Sequence, residues 1–212
     1  MKTQVSLKHK KPELFEGDLP DNLLKHYLTK SVIAIDTETR GLVIHRDRLC
    51  LIQICDDEGV VSFVRYTSPD APNLRKLLTQ RSPEKLFHFA RFDVAVLKHY
   101  LQVDVAPLWC TKIASKLIRT YTDRHSLKDL SREILGLEMD KSDQSSDWAR
   151  GDLSESQLEY AANDVRVLIP IQERMKALLE RENLSDLASR LFDFLPTVCE
   201  LDLRGWKDIF EH

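Results

Sequence analysis

Four short, almost continuously apolar runs lie between residues 32 and 89: VIAID (Val32 to Asp36), RLCLIQIC (Arg48 to Cys55), VVSFV (Val60 to Val64) and KLFHF (Lys85 to Phe89). They are short and rich in β-branched residues, the pattern of strands covered on both faces. Arg40-Gly41 punctuates a turn after the first run, and Asp56 to Gly59 joins the second and third as a hairpin. Elsewhere the spacing turns helical. Pro72 opens a helix whose Leu74, Leu77 and Leu78 share a face, and Asp93 to Leu101 forms another. Beyond residue 110, Ile113, Leu117 and Ile118 recur at helical spacing, and Ser126 to Asp129 caps a helix that Gly136 stops. Ser154 to Gln157 is a capping box that opens a long helix to about Glu182, which Pro170 should kink or break. Leu184 to Leu195 is a last helix, ended by Pro196. The predicted fold class is α/β, with a central mixed sheet packed by α-helices.

A chain of 212 residues suits one ordinary domain. Residues 1–30 read as a lead-in, with a basic cluster (Lys8, His9, Lys10, Lys11) and a short helical pattern from Asn22 to Leu28; residues 31–212 read as the domain proper. Lys and Arg total 31 against 34 Asp and Glu, a net charge of −3. That excludes a protein that coats nucleic acid through bulk positive charge, but not a nucleic-acid enzyme whose acidic site holds metals. No apolar run approaches the ~18 residues that span a bilayer. The N-terminus lacks the apolar segment of a secretory signal, so the cytoplasm is the expected location. Cys50, Cys55, Cys110 and Cys199 form no CxxC pair and no zinc-spaced cluster. Cys50 and Cys55, within LCLIQIC, read as small buried hydrophobes of a reducing compartment.

The chemistry concentrates in carboxylates. Asp36 and Glu38 stand two apart at the end of the first strand, so they point the same way. Two carboxylates forced together repel, and a divalent cation between them relieves the repulsion; taken alone, the pair reads first as a solvated strand end. Asp93, in HFARFD, lies at a strand-to-helix junction, where α/β folds commonly carry sites but where a first-turn aspartate is also favoured by the helix dipole. Tyr160 and Asp164, in YAAND, share one helix face, with small residues between them that permit a close approach.

Together, DTET, HFARFD and YAAND resemble, in order and residue type, the motifs of the DEDDy-type 3′-5′ exonucleases, the ribonuclease D-like superfamily. The segments TETRGL, HRDRLCLIQI, FHFARFD, CTKIASKLIRTYTDRHSLK, QSSDWA, LEYAANDV and FLPTVCELDLRGWKDIF extend the resemblance to the nanoRNase C group, from about Ile33 to Phe210. The resemblance implies a ribonuclease H-like exonuclease fold. It also implies a metal-dependent 3′-5′ exoribonuclease that hydrolyses RNA dinucleotides to mononucleotides. Two Mg²⁺ or Mn²⁺ ions per site would be held by Asp36 as the bridging ligand, with Glu38, Asp93 and Asp164 completing the shells. Tyr160, with a reference pKa near 10, would orient the attacking water rather than take its proton. The broader alternative is a ribonuclease D-like enzyme trimming longer RNA or single-stranded DNA. The alternative from another class is an inactive nucleic-acid-binding protein, which should have lost one or more of these carboxylates.

Candidate substrate contacts are Leu42, His88, Arg46, Arg48, Lys112, Arg119 and Arg124. By resemblance Leu42 is an apolar wedge between bases; otherwise it is a packing leucine. His88 touches substrate or is a satisfied core histidine. Arg46 and Arg48 form a solvated face or contact phosphate. Lys112, Lys116 and Arg119 make one positive helical stripe, continued by Arg124 and His125, that could hold a terminal phosphate or pair with acids across a subunit interface. The resemblance further implies ring-like homo-oligomers, typically octamers. Trp206 and Phe210 in the tail would then cover either the protein's own core or a neighbour's surface.

Overall fold

The computed structural model describes residues 10–139, 146–206 and 209–210; Lys8 and His9 of the basic cluster, and Gln144 and Ser145 of QSSDWA, lie outside the described residues. The chain opens with strand β1 (Glu13–Glu16) and helix α1 (Asp21–Leu28). It continues through β2 (Val32–Thr39), β3 (Leu49–Cys55), β4 (Val61–Arg65), α2 (Pro72–Thr79), β5 (Glu84–Phe87), α3 (Ala90–Leu101), β6 (Leu108–Cys110) and α4 (Thr111–Ile118). A short α5 (Leu127–Leu130) runs into one turn of π-helix (Ser131–Leu135), followed by α6 (Glu155–Arg166), α7 (Leu168–Arg181) and α8 (Ser185–Leu203).

The six strands form one mixed sheet in the order β1-β4-β3-β2-β5-β6. β2, β3 and β4 are an antiparallel meander, while β2–β5, β5–β6 and β1–β4 pair in parallel. The central strands are apolar because both faces are covered: β3 is buried along its whole length. Helix α6 packs on β2 and β3, and α3 packs on β2 and β5. The four apolar runs are strands, within a few residues of their expected ends.

Residues 13–28, read as a lead-in, join the sheet and core. β1 pairs with β4, and Tyr27 and Leu24 are buried, the Tyr27 hydroxyl donating to Ser62 Oγ at 2.8 Å. β1 and β6 carry little periodic signal because they are four and three residues long and lie at the sheet edges. The capping box at Ser154 forms as expected, and Ser126 caps α5. The long helix breaks at Val167, so that Pro170 falls in the first turn of α7, where its missing N–H is tolerated. Pro196 corrects the expectation: it does not end α8, which continues to Leu203. Buried Phe192, Leu195 and Cys199 hold the helix on both sides of the proline, and Phe192 packs on Trp109 with ring centroids 5.0 Å apart. All four cysteines are free and buried. Among the described residues, no helix is long and apolar enough to cross a membrane.

Candidate active site

The site begins where β2 leaves the sheet. Its register with β3 is regular through Glu38 and shifts between Glu38 and Thr39. Alternation along the strand turns Asp36 and Glu38 to one face and Thr37 to the other. Helix α6 covers the first face and presents Tyr160 and Asp164 one turn apart. Between them Ala161 and Ala162 are fully buried. The close approach that these small residues permit is therefore that of the helix to the sheet. Carboxylate oxygens of Asp36, Glu38 and Asp164 lie within 4.8 Å of one another.

Asp93 arrives from the other layer. It sits in the first turn of α3, only 3% exposed, and accepts a hydrogen bond from Thr37 Oγ1 at 2.7 Å. Thr37 thus ties the second acidic motif to the first, a role hidden in sequence because the threonine stands between two more conspicuous carboxylates.

The electrostatics follow from crowding. Burial, then the charges of Asp93, Glu38 and Asp164, push the Asp36 carboxyl well above the usual range. Burial, then Asp164 and Asp93, do the same to Glu38. Burial raises Asp93 to about 7, against the hydrogen bond from Thr37. Tyr160 is pushed far up by burial, then by the negative charge of Asp164, to which its hydroxyl is hydrogen-bonded. Such a cluster of hard oxygen donors, strained by its own charge, suits divalent cations such as Mg²⁺ or Mn²⁺.

Asp36, Asp93, Tyr160 and Asp164 line a cavity of about 290 Å³ together with His88, Phe89, Phe92, Lys112 and Lys128. His88 Nδ1 lies 2.8 Å from Thr111 Oγ1, and the Lys112 ammonium stands 4.1 Å above the exposed Phe89 ring. Lys128, Phe89 and Phe92 were not singled out from sequence. The signal for the rings was their repetition around the arginine of FHFARFD, and Lys128 follows the Ser126 cap.

Phe89 and Phe92 also wall a second cavity of about 600 Å³, lined by Leu42, Ile44, His45 and residues 202–205. Leu42 is 82% exposed. The loop that carries it is folded around Asp47, which accepts the Val43 N–H and a two-pronged contact from Arg46. A side chain at Gly41 would collide with that carboxylate, its Cβ 2.8 Å from Asp47 Cγ. The end of α8 walls this cavity on one side: Arg91 pairs with Asp202 at 2.5 and 2.7 Å, and His45 Nε2 lies 3.0 Å from Leu203 O.

The remaining arginines are placed elsewhere. Arg46 is engaged by Asp47, and exposed Arg48 lines neither cavity. Arg119, read as part of a positive stripe, is buried; its guanidinium bonds Ser115 Oγ at 3.1 Å, the Arg124 carbonyl at 2.7 Å and Glu133. It ties the chain after α4 to the π-turn. Arg124 is exposed and contributes its carbonyl to that tie.

The model of the 3′-5′ exonuclease family matches residues 15–180. The chain is 34% identical over 193 residues to DNA polymerase I of Aquifex aeolicus, covering 88% of this chain but 32% of that protein. It superimposes on Escherichia coli RNase D, an exoribonuclease involved in structured RNA processing, with a TM-score of 0.76 and 25% identity, over 84% of this chain and 47% of that one. The chain thus spans a third to a half of these two relatives. Against Brucella melitensis NrnC the TM-score is 0.90 and the identity 48%, over 96% of this chain and 100% of the other. That protein has also been solved with bound Mg²⁺ and bound to pGG. The α/β fold is that of the ribonuclease H-like exonucleases. Because the family match takes in all the acidic residues of the site and most of the sheet, the chain belongs to the 3′-5′ exonuclease family, in its DEDDy-type, ribonuclease D-like branch.

Proposed function

We propose that the protein is a divalent-metal-dependent 3′-5′ exoribonuclease that hydrolyses very short RNA, dinucleotides above all, to nucleoside 5′-monophosphates. The observation that carries this reading is the match over the full length of a relative solved bound to pGG, against half the length of RNase D. The second cavity, walled on one side by the end of α8, adjoins the acidic cavity across Phe89 and Phe92 and offers room for the bases of a short substrate.

Asp36, Glu38 and Asp164 hold two cations, Mg²⁺ or Mn²⁺, with Asp93 completing the set and Thr37 fixing its orientation. Bound there, the cations supply a water activated for attack and charge stabilisation for the leaving 3′ oxygen. Tyr160 keeps its proton and orients the nucleophile by hydrogen bonding. Lys112, Lys128 and His88 offer donors to a phosphate in the main cavity. Leu42, Phe89 and Phe92 offer apolar surfaces against which bases stack.

A length series tests the reading. 5′-labelled RNAs of two to seven nucleotides and a structured RNA are incubated with the protein and Mg²⁺. The dinucleotide should disappear at least about tenfold faster than the others, a difference of about 1.4 kcal/mol in barrier. Similar rates at all lengths would replace the dinucleotide reading with a general trimming exonuclease.

The same proposal includes a homo-oligomer, ring-like and octameric by family resemblance. Leu187, Leu191 and Phe194 repeat at helical spacing on the outer face of α8, and Trp206, Ile209 and Phe210 are exposed nearby in sequence, Phe210 6.0 Å from Phe194. Exposed apolar side chains of this kind fit a second copy of the chain. Light scattering at micromolar concentration should give a mass several times that of one chain; a stable monomer would sink the assembly.

A further inference from the structure

Strand β3 reads LCLIQIC, and its one polar position, Gln53, has no stabilising reason to be polar. The side chain is 0% exposed, and neither its amide nitrogen nor its amide oxygen has a hydrogen-bond partner among the described residues. A buried amide with nothing to bond is a net cost to the fold, and such groups in native proteins call for an explanation. An apolar residue of the same size would fill the space without that cost.

The ladder shows what stands beside it. Phe63 of β4 is directly opposite Gln53 on one side, and Asp36 of β2 is directly opposite on the other. Opposed residues of an antiparallel pair point to the same face, with Cβ atoms about 5 Å apart. The two side chains therefore leave the sheet on the same face, the one that α6 covers. Phe63 offers no hydrogen bond. Of the diagonal neighbours on β2, Ala34 is apolar and Glu38 belongs to the acidic cluster itself. Asp36 is the one polar group directly across the ladder from this amide.

We propose that Gln53 is a positioning residue for Asp36: its amide N–H is held in reserve to donate to the Asp36 carboxylate and fix that carboxylate's orientation when divalent cations occupy the site. The inference rests on the reading of Asp36 as a cation ligand. Ligating carboxylates are themselves hydrogen-bonded, and removing such a support typically weakens metal affinity by 10- to 100-fold. A donor buried against the ligand, at a cost to the empty fold, is the arrangement that a need for oriented charge would select.

The test is a Mn²⁺ titration read by thermal melting without substrate, on wild type, Gln53→Leu and Gln53→Met. Without cations, both variants should melt at or above wild type, since each replaces an unmet amide by an apolar side chain of similar volume. The Mn²⁺ concentration giving half the maximal stabilisation should rise about tenfold or more in both. A midpoint equal to that of wild type in a folded variant overturns the proposal and leaves the cation site standing. Failure of both variants to fold assigns Gln53 to the fold and also overturns it. A wild type that gains no stability from Mn²⁺ defeats the cation site itself, and this inference with it.

Discussion

Asp36→Ala should lower turnover by about 10⁴-fold, a loss of about 5.5 kcal/mol of barrier reduction. It should also abolish the rise in melting temperature that Mg²⁺ or Mn²⁺ gives the wild type. Asp36 is hemmed in by other carboxylates: Glu38 and Asp164 offer oxygens within 4.8 Å of its own, and Asp93 adds its charge. On the proposed reading its loss removes a cation ligand and uncouples the remaining ones. The empty protein should respond in the opposite sense. Folding raises the Asp36 and Glu38 carboxyls above their ordinary range and brings Asp93 to about 7. Between the usual carboxylate range, about pH 4, and pH 7, the folded state then binds more protons at this cluster than the unfolded chain. The cluster's contribution to stability accordingly falls as pH rises through that window. Asp36→Ala removes one contributor and lightens the others, so the cation-free variant should melt higher than wild type at pH 7, by about 3 °C for each kcal/mol relieved. Calorimetry with and without Mg²⁺, beside a turnover assay, reads all three effects. A variant that keeps its cation-dependent stabilisation would remove Asp36 from the ligand set.

Tyr160→Phe should cost less, about 10²-fold in kcat, and leave the cation response close to wild type. Burial opposes a phenolate, and Asp164, beside and hydrogen-bonded to the hydroxyl, opposes it further. The proton therefore stays on the oxygen throughout the neutral range, and on the proposed reading the group orients the nucleophile rather than taking its proton. Removing one hydrogen bond that orients a nucleophile leaves the carboxylates and their charge in place. A Tyr160→Phe enzyme that loses activity as completely as Asp36→Ala would overturn that division of roles, as would a wild-type rate profile that rises with a tyrosine-like ionisation within the working pH range.

How much of this was legible in the sequence depends on the range over which each signal acts. VIAID and LCLIQIC announced their burial because β-branched, apolar runs of that length have few other solutions. Asp36 with Glu38, and Tyr160 with Asp164, were paired by the local repeat of strand and helix, which folding preserves. That the pairs meet each other, and that Asp93 reaches them through Thr37, depends on the stacking of α6 and α3 on opposite sides of β2, which no local period encodes. Arg119 shows the limit from the other side. Its spacing from Lys112 and Lys116 is helical, yet it stands just past the end of α4, where the guanidinium turns inward to Glu133 and the Arg124 carbonyl. Pro196 misled because the packing of α8 outweighs one lost backbone hydrogen bond. The edge strand β1 escaped notice because four residues, two of them glutamates, carry little pattern of their own.

The acidic residues of the site come from three elements far apart in the chain, and the last of them, α6, lies beyond the whole sheet. A chain still being synthesised can complete the strands and even seat Asp93 beside Thr37 while lacking Tyr160 and Asp164. The acidic cluster is thus complete only once α6 has been made and has docked on β2.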